Sequence, residues 1–163
     1  MKKIYLAGGC FWGMQKFFDQ FDGVIQTTVG YANGDKENPS YEEVCNNSGH
    51  AETLEIIYDN NKINLKKLLE SYFFMVIDPT SKNKQGGDIG IQYRTGIYYE
   101  ENEPPEEINE IMEIERCKYD KPLAVEVKKL KNFYPAEKYH QKYLEKNPHG
   151  YCHIPKKMFS LKK

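Results

Sequence analysis

No apolar run in this sequence approaches the ~18 residues that a membrane-spanning helix requires. Charge of one sign does not accumulate either. Lys and Arg number 23 against 24 Asp and Glu, a formal net charge of −1. Without a basic field there is no electrostatic pull on nucleic acid or an anionic membrane surface. Cys-x-x-Cys pairs and His-Glu-x-x-His runs are missing, which argues against a zinc site. A weak metal alternative would have to gather the scattered Cys45, His50, Cys152 and His153. No repeat and no low-complexity stretch is present, which sets aside solenoids and compositionally disordered chains. Cysteines number only four, too sparse for a disulfide scaffold. Met1-Lys2-Lys3 ahead of Ile4 to Cys10 faintly resembles a lipoprotein signal. Its apolar core is far shorter than the about 7–15 residues of a signal sequence, so a cytoplasmic protein is expected.

What is present fits an ordinary folded chain. The 163 residues suit one domain, spanning 1–163, with a tail from about residue 147. Hydrophobic residues make up 39% and aromatics 13%, enough to oppose disorder. The Lys-rich ends (Lys2-Lys3, Lys156-Lys157 and Lys162-Lys163) read as solvated.

The spacing predicts a strand at 3–7, closed by Gly8-Gly9, and a helix over 11–21 with Phe11, Met14, Phe17, Phe18 and Phe21 on one face. A strand follows at 24–31. Ser40 and Glu43 form a capping box for a helix at 41–46. Residues 50–58 alternate, with His50, Glu52, Leu54, Ile56 and Tyr58 on one side. Asn64 caps a helix bearing Leu65, Leu68, Leu69, Tyr72, Phe73 and Val76. A strand is expected at 89–99, with Ile89, Ile91, Tyr93, Thr95, Ile97 and Tyr99 sharing a face. Pro104-Pro105 opens another helix, and Leu123, Val125 and Val127 mark a further strand. Pro135 suits the first turn of a last helix at 135–146. The major elements up to residue 99 run β-α-β-β-α-β, the ferredoxin-like order. The fold class expected is α+β, a two-layer sandwich with a ferredoxin-like core and an irregular C-terminal tail.

Cys10 is the sharpest chemical feature. It follows a predicted strand and two glycines and opens a predicted helix, where free N–H groups and the helix dipole favour a thiolate. Phe11 and Trp12 place aromatic walls beside it. A buried structural cysteine is the plain alternative. Glu52, on the core face of its strand, would have its pKa raised by desolvation, which suits a general acid. A phase error would instead leave it solvated. Tyr41 and Tyr93 could donate hydrogen bonds to a polar substrate atom, or simply pack. Asp88 lies at a glycine-rich strand entrance, where a turn role competes. Cys152, in the predicted coil, could serve as a mobile resolving thiol or be a bystander on the surface. Cys45 and Cys117 are assigned to packing. A Cys–His hydrolase with His50 or His140 as base remains open on these residues.

Six ordered blocks carry a resemblance. They are Gly9-Cys10-Phe11-Trp12-Gly13; Gly30-Tyr31; Pro39-Ser40-Tyr41-Glu42-Glu43-Val44-Cys45 with Gly49-His50-Ala51-Glu52; Gly87-Asp88-Ile89-Gly90-Ile91-Gln92-Tyr93-Arg94; Phe133-Tyr134-Pro135-Ala136-Glu137 with His140-Gln141; and Asn147-Pro148-His149-Gly150-Tyr151-Cys152. In order and spacing they resemble the A-type peptide methionine sulfoxide reductases over nearly the whole chain. The resemblance implies an α+β sandwich with a ferredoxin-like core. It implies that Cys10 is the nucleophile, that Phe11 and Trp12 receive the substrate methyl group, and that Glu52, Tyr41 and Tyr93 surround the sulfoxide oxygen. Asp88 would order the site, and Cys152 would resolve the intermediate. The implied reaction reduces the S epimer of methionine sulfoxide, free or in proteins. It passes through a cysteine sulfenic acid and an intramolecular disulfide recycled by thioredoxin, or by dithiothreitol in vitro. No metal, flavin or nucleotide is implied on the chain, nor any nucleic acid or membrane partner, and a monomer is expected. Ile91 and Ile77 stand where many members have threonine and histidine, and no cysteine follows Cys152 for a second relay.

Overall fold

The computed structural model describes residues 1–161, so Lys162 and Lys163 of the expected solvated tail lie outside the described residues. Strand β1 (Lys2–Gly8) leads into helix α1 (Phe11–Asp19), followed by β2 (Val24–Ala32), α2 (Tyr41–Cys45) and β3 (Ala51–Tyr58). A π-helical stretch, Lys67–Phe73, continues into α3 (Phe74–Val76). Next come the two short strands β4 (Lys84–Gln85) and β5 (Asp88–Ile89), a 3-10 turn at Ile91–Tyr93, and β6 (Thr95–Tyr99). Helix α4 (Glu106–Arg116) precedes β7 (Glu126–Lys129) and β8 (Phe133–Pro135). A 3-10 turn at Lys138–His140, helix α5 (Tyr143–Lys146) and a 3-10 turn at Lys156–Ser160 complete the described chain.

Six strands form one sheet in the order β7-β6-β1-β3-β2-β8. Neighbours pair antiparallel except β6 with β7. The alternation along β1 divides the interior. Ile4 and Leu6 face the main core, which includes Met14, Phe17 and Phe18 of α1, Leu68, Leu69 and Phe73 of the π-helical stretch, and Ile108 and Ile111 of α4. Tyr5 and Ala7 face a thin second cluster with Ala32, Ala51 and Tyr98, covered by Leu130 and Phe133. Phe17 and Phe18 are completely buried, each contributing roughly 2–3 kcal/mol through removal of apolar surface from water. The architecture is thus a mixed α/β fold whose helices pack mainly on one face of the sheet.

Both sequence-encoded caps form. Ser40 Oγ accepts from the Glu43 N–H while the Glu43 carboxylate accepts from the Ser40 N–H. Asn64 Oδ1 accepts from the Lys67 N–H at 2.8 Å.

Three expectations need correction. The strand over 89–99 does not form as one piece. Gly90, at φ 149, breaks the extended run. Ile89 and Ile91 are 72% and 38% exposed rather than on the core face, and Tyr93 ends a 3-10 turn. The strand around 123–127 begins only at Glu126. The helix over 135–146 is replaced by β8, a 3-10 turn and the one-turn α5. Its side chains and backbone are claimed by other partners. Gln141 Oε1 accepts from the Val29 N–H, and its Nε2 donates to the Val29 and Ala136 carbonyls. Lys142, at φ 57, donates its N–H to Gln15 Oε1.

Candidate active site

The β1–α1 turn positions the nucleophile. Gly9 sits at φ +87, which only glycine adopts without strain. That reversal places Cys10 at the N-cap of α1. The thiol is 6% exposed. One N–H of the first turn, that of Trp12, is directed at the sulfur and stabilises its anion. The Phe11 N–H instead donates to Glu52 Oε1 at 3.1 Å.

The sequence argument for a thiolate at rest does not hold. Burial raises the Cys10 pKa most, Glu52 adds to this, and the Trp12 N–H offsets only part. Asp88 and Cys152 raise it further. Desolvation of a whole anion outweighs one backbone donor. The resting group is a thiol, its pKa well above the ordinary cysteine value.

Glu52 lies on the core face of β3, 2% exposed, as the strand phase predicts. Burial lifts its pKa to about 8, against the opposing pull of the Phe11 N–H and with a further push from Asp88. It is therefore a carboxylic acid at neutral pH, able to donate a proton. Tyr41, the first residue of α2, and Tyr93 both feel Glu52 and Cys10 electrostatically. Burial, reinforced chiefly by Glu52, holds both phenols well above the ordinary tyrosine pKa, so both remain donors. Asp88 opens β5 and also acts on Cys10, Glu52 and Tyr93. Its Oδ2 is buried without a partner among the described residues. The structure therefore brings together Cys10, Glu52, Tyr41, Tyr93 and Asp88, five residues drawn from five separate segments.

The two aromatic neighbours of Cys10 differ. Phe11 is 1% exposed, its ring 5.7 Å from Tyr31 and 5.3 Å from His140. Trp12, the sole tryptophan, is half-buried and stacks on Tyr143 at 3.8 Å. Its indole N–H donates to His140 Nδ1 at 3.0 Å. An imidazole engaged in this way orients Trp12. Burial also depresses the His140 pKa, with Glu137 opposing.

Sequence reasoning missed Glu137 and Tyr143 and gave His140 another role. Glu137 accepts from the Tyr31 hydroxyl at 2.7 Å and from the Tyr41 N–H at 2.9 Å. Burial alone would raise its pKa, but these donors hold it below the ordinary glutamate value. The Pro135-Ala136-Glu137 run with His140-Gln141 was a visible signal, masked by reading it as a helix face.

Cys152 is not loose. Its Sγ lies against the first turn of α1, where a Cβ on Gly13 would stand only 2.7 Å away. Sγ accepts from the Ile154 N–H at 3.4 Å. Ile154 is buried in the main core. Gln20 ties the following segment, donating to the Met158 carbonyl at 2.8 Å and accepting from the Leu161 N–H at 2.6 Å. A cavity of about 340 Å³ opens beside the sulfur, lined in part by Lys16, His149 and Phe159. All four cysteines are free thiols, and Cys45 and Cys117 are exposed, so neither serves core packing as expected. Among the described residues, no three His, Cys, Asp or Glu side chains converge as a metal cluster. No described helix is long and apolar enough to cross a membrane.

Comparison with known proteins adds a family. Residues 2–163 match the family model described as peptide methionine sulfoxide reductase. A curated relative, "Peptide methionine sulfoxide reductase MsrA" of Lachnoclostridium phytofermentans, is 62% identical over 94% of this chain and 92% of its own length. The reduced form of Mxr1 from Saccharomyces cerevisiae superposes with a TM-score of 0.88 at 39% identity, covering 94% of this chain and 91% of that one. Mxr1 in complex with Trx2 gives 0.61 at 29% identity, covering 87% and 84%.

Proposed function

The chain belongs to the peptide methionine sulfoxide reductase family, and on that premise we propose that it reduces the S epimer of methionine sulfoxide to methionine. The observation that carries the reading is the convergence of a buried thiol, Cys10, with an un-ionised acid, Glu52, and two phenol donors. A sulfoxide carries a polar oxygen on a sulfur flanked by apolar groups, and donors gathered near Cys10, whose sequence neighbours are Phe11 and Trp12, suit both parts.

The substrate methyl group packs against Trp12, with Phe11 as the floor beneath. Glu52, Tyr41 and Tyr93 address the sulfoxide oxygen, while Asp88 orders the surroundings. As the Glu52 proton moves to that oxygen, the substrate sulfur becomes electrophilic. Donors placed where charge develops are commonly worth about 3 kcal/mol each. Cys10 Sγ attacks, and its own proton passes to the vacated carboxylate. The hydroxyl passes from the substrate sulfur to Cys10 Sγ as the new sulfur–sulfur bond and the substrate sulfur–oxygen bond break, so methionine departs and Cys10 is left as a sulfenic acid. The substrate sulfur gains two electrons and Cys10 loses two. Cys152 then forms a disulfide with Cys10 and releases water.

A thioredoxin-type dithiol, or dithiothreitol in vitro, returns both thiols to the reduced state. The likeness to Mxr1, solved in complex with Trx2, supports the protein reductant. The chain's own residues supply all the chemistry, with no metal or organic cofactor. We further read residues 1–163 as one catalytic domain, monomeric and cytoplasmic, where a reducing compartment suits four free thiols. The order β6-β1-β3-β2 of four sheet strands supports a ferredoxin-like core, extended by β7 and β8.

The test is NADPH consumption coupled through thioredoxin reductase and thioredoxin, with S and R epimers of N-acetylmethionine sulfoxide offered separately. Consumption with S alone is expected. Consumption with R alone, or none even with dithiothreitol, overturns the proposal. Cys152→Ser should still release one methionine per chain but lose cycling with thioredoxin. Undiminished cycling would assign the resolving role to another thiol.

A further inference from the structure

Arg94 follows Tyr93 directly and belongs to none of the roles above. Tyr93 ends the 3-10 turn Ile91–Tyr93. Little apolar burial holds that turn. Ile89 and Ile91, on either side of Gly90, both reach solvent, and Gly90 sits at φ 149. Polar bonds from Arg94 hold the turn instead. Its Nη1 donates to the Ile91 carbonyl at 2.9 Å, the same oxygen that accepts the Arg94 backbone N–H at 3.3 Å. Its Nε donates to Glu126 Oε2 at 3.1 Å, and its Nη2 to the Asn33 carbonyl at 3.4 Å. The guanidinium thus joins the turn to β7 and to the residue that follows β2. Glu126 is itself fixed. Its Oε2 also accepts from the hydroxyl of the buried Tyr98 at 2.7 Å, and Lys128 Nζ stands 3.4 Å from its Oε1. Burial would raise the Glu126 pKa, but Tyr98 and Arg94 hold it below the ordinary glutamate value, so it is a carboxylate at neutral pH. The Arg94 side chain is only 11% exposed, so water competes little for these bonds.

From this network we propose that Arg94 is a positioning residue for the Tyr93 donor: its guanidinium fixes the turn from which the phenol addresses the sulfoxide oxygen. The inference rests on the reductase reading, and Arg94 acts through Tyr93 rather than on the substrate. A donor aimed at developing charge must be held within about 0.5 Å of its place. A turn that follows a glycine is not held by its own backbone. Arginine suits the task because its planar fork reaches three acceptors at fixed angles, the Ile91 and Asn33 carbonyls and the Glu126 carboxylate. A lysine ammonium lacks that fork. No proton or electron passes through Arg94; it supplies geometry alone.

The experiment follows the first methionine release from the fully reduced full chain over a range of N-acetylmethionine S-sulfoxide concentrations. It yields a maximal rate and a half-saturation concentration. Arg94→Ala should lower the maximal rate roughly tenfold, within the ~100-fold that a 1 Å misplacement can cost. The half-saturation concentration should change little, because the donor acts on charge that develops in the transition state. The loss should be absent in a Tyr93→Phe background and should multiply with that of Tyr41→Phe. Methylguanidinium can enter the cavity of about 480 Å³ that Arg94 and Glu126 help to line. It should restore the Arg94→Ala chain but not the chain that also carries Tyr93→Phe. If Arg94→Ala does not fold, Glu126→Gln takes its place in the same cycle, with a smaller loss that again vanishes without the Tyr93 hydroxyl. A wild-type maximal rate in Arg94→Ala overturns the proposal. So does a loss that multiplies with Tyr93→Phe, or one confined to half-saturation, since either would mark the network as general support. A wild-type rate in Tyr93→Phe alone overturns it too, because Arg94 would then have no donor to place. Failure of wild type itself to release methionine would count against the reductase reading, a separate result.

Discussion

The two reactive thiols are held in opposite ways. Cys10 is fixed by regular structure: a strand ends, Gly9 reverses the chain, and α1 begins against the main core. Cys152 is fixed by irregular chain, through the buried Ile154 and the hydrogen bonds of Gln20. The first arrangement costs little to maintain and holds geometry closely. The second has few anchors, so it opens with less free energy than the sheet. A nucleophile that must meet an acid at a fixed distance belongs in the first setting. A thiol that must attack Cys10 and then face an external reductant belongs in the second.

Breaking the rigid side should have the largest effect. Cys10→Ser should reduce methionine release from the S-sulfoxide to background, and measurable turnover would remove Cys10 from its role. Next is Glu52→Gln. The amide still donates but gives up no proton, so the rate should drop about a hundredfold below pH 8, the effect of losing one such donor. The gap should close above pH 8, where wild-type Glu52 ionises. Stability should move the other way. The folded pKa of about 8 lies above the ordinary 4.5, so the contribution of Glu52 is complete below 4.5 and lost as pH rises towards 8. The glutamine chain should therefore gain on wild type in melting experiments across that window. A pH-independent difference in both rate and melting would show that Glu52 does not titrate there.

The irregularly anchored side offers smaller perturbations. Ile154→Ala should cost ~2–5 kcal/mol in denaturant unfolding, the usual range for such a buried truncation. It should slow disulfide formation several-fold while sparing the first methionine release. Equal slowing of both steps would mean that the tail supports the whole site. Gly13→Ala is the mildest change. Its Cβ would meet the end of the Cys152 side chain, which can swing aside. Helix stability should rise by up to ~1 kcal/mol, while disulfide formation slows modestly. An unaltered rate would mean that Cys152 does not need its place against α1.

Much of this was legible in one dimension because it depends on neighbours in sequence. The Ser40–Glu43 capping box, the Asn64 cap and the aromatic face of α1 each depend on spacing within a few turns. Glu52 was placed in the core by strand phase alone, and the structure keeps it there. The segment 135–146 failed for the opposite reason. Its local pattern suits a helix, but Gln141 and Lys142 bond to Val29 and Gln15, far away in sequence. At 89–99 the alternation was real, yet Gly90 let the backbone turn and sent Ile89 to solvent.

The sequence by itself determined which residues carry chemistry and where most helices and strands begin, because caps, glycines and alternation act locally. Only the tertiary structure decided the state of those residues. Cys10 rests as a thiol and Glu52 as an acid because desolvation depends on everything packed around them. Trp12 is oriented by His140 and Tyr143, and Cys152 is seated on α1, because the chain returns to its first helix after more than a hundred residues. Burial and long-range contact are properties of the assembled molecule, and they set the proton inventory on which the reaction depends.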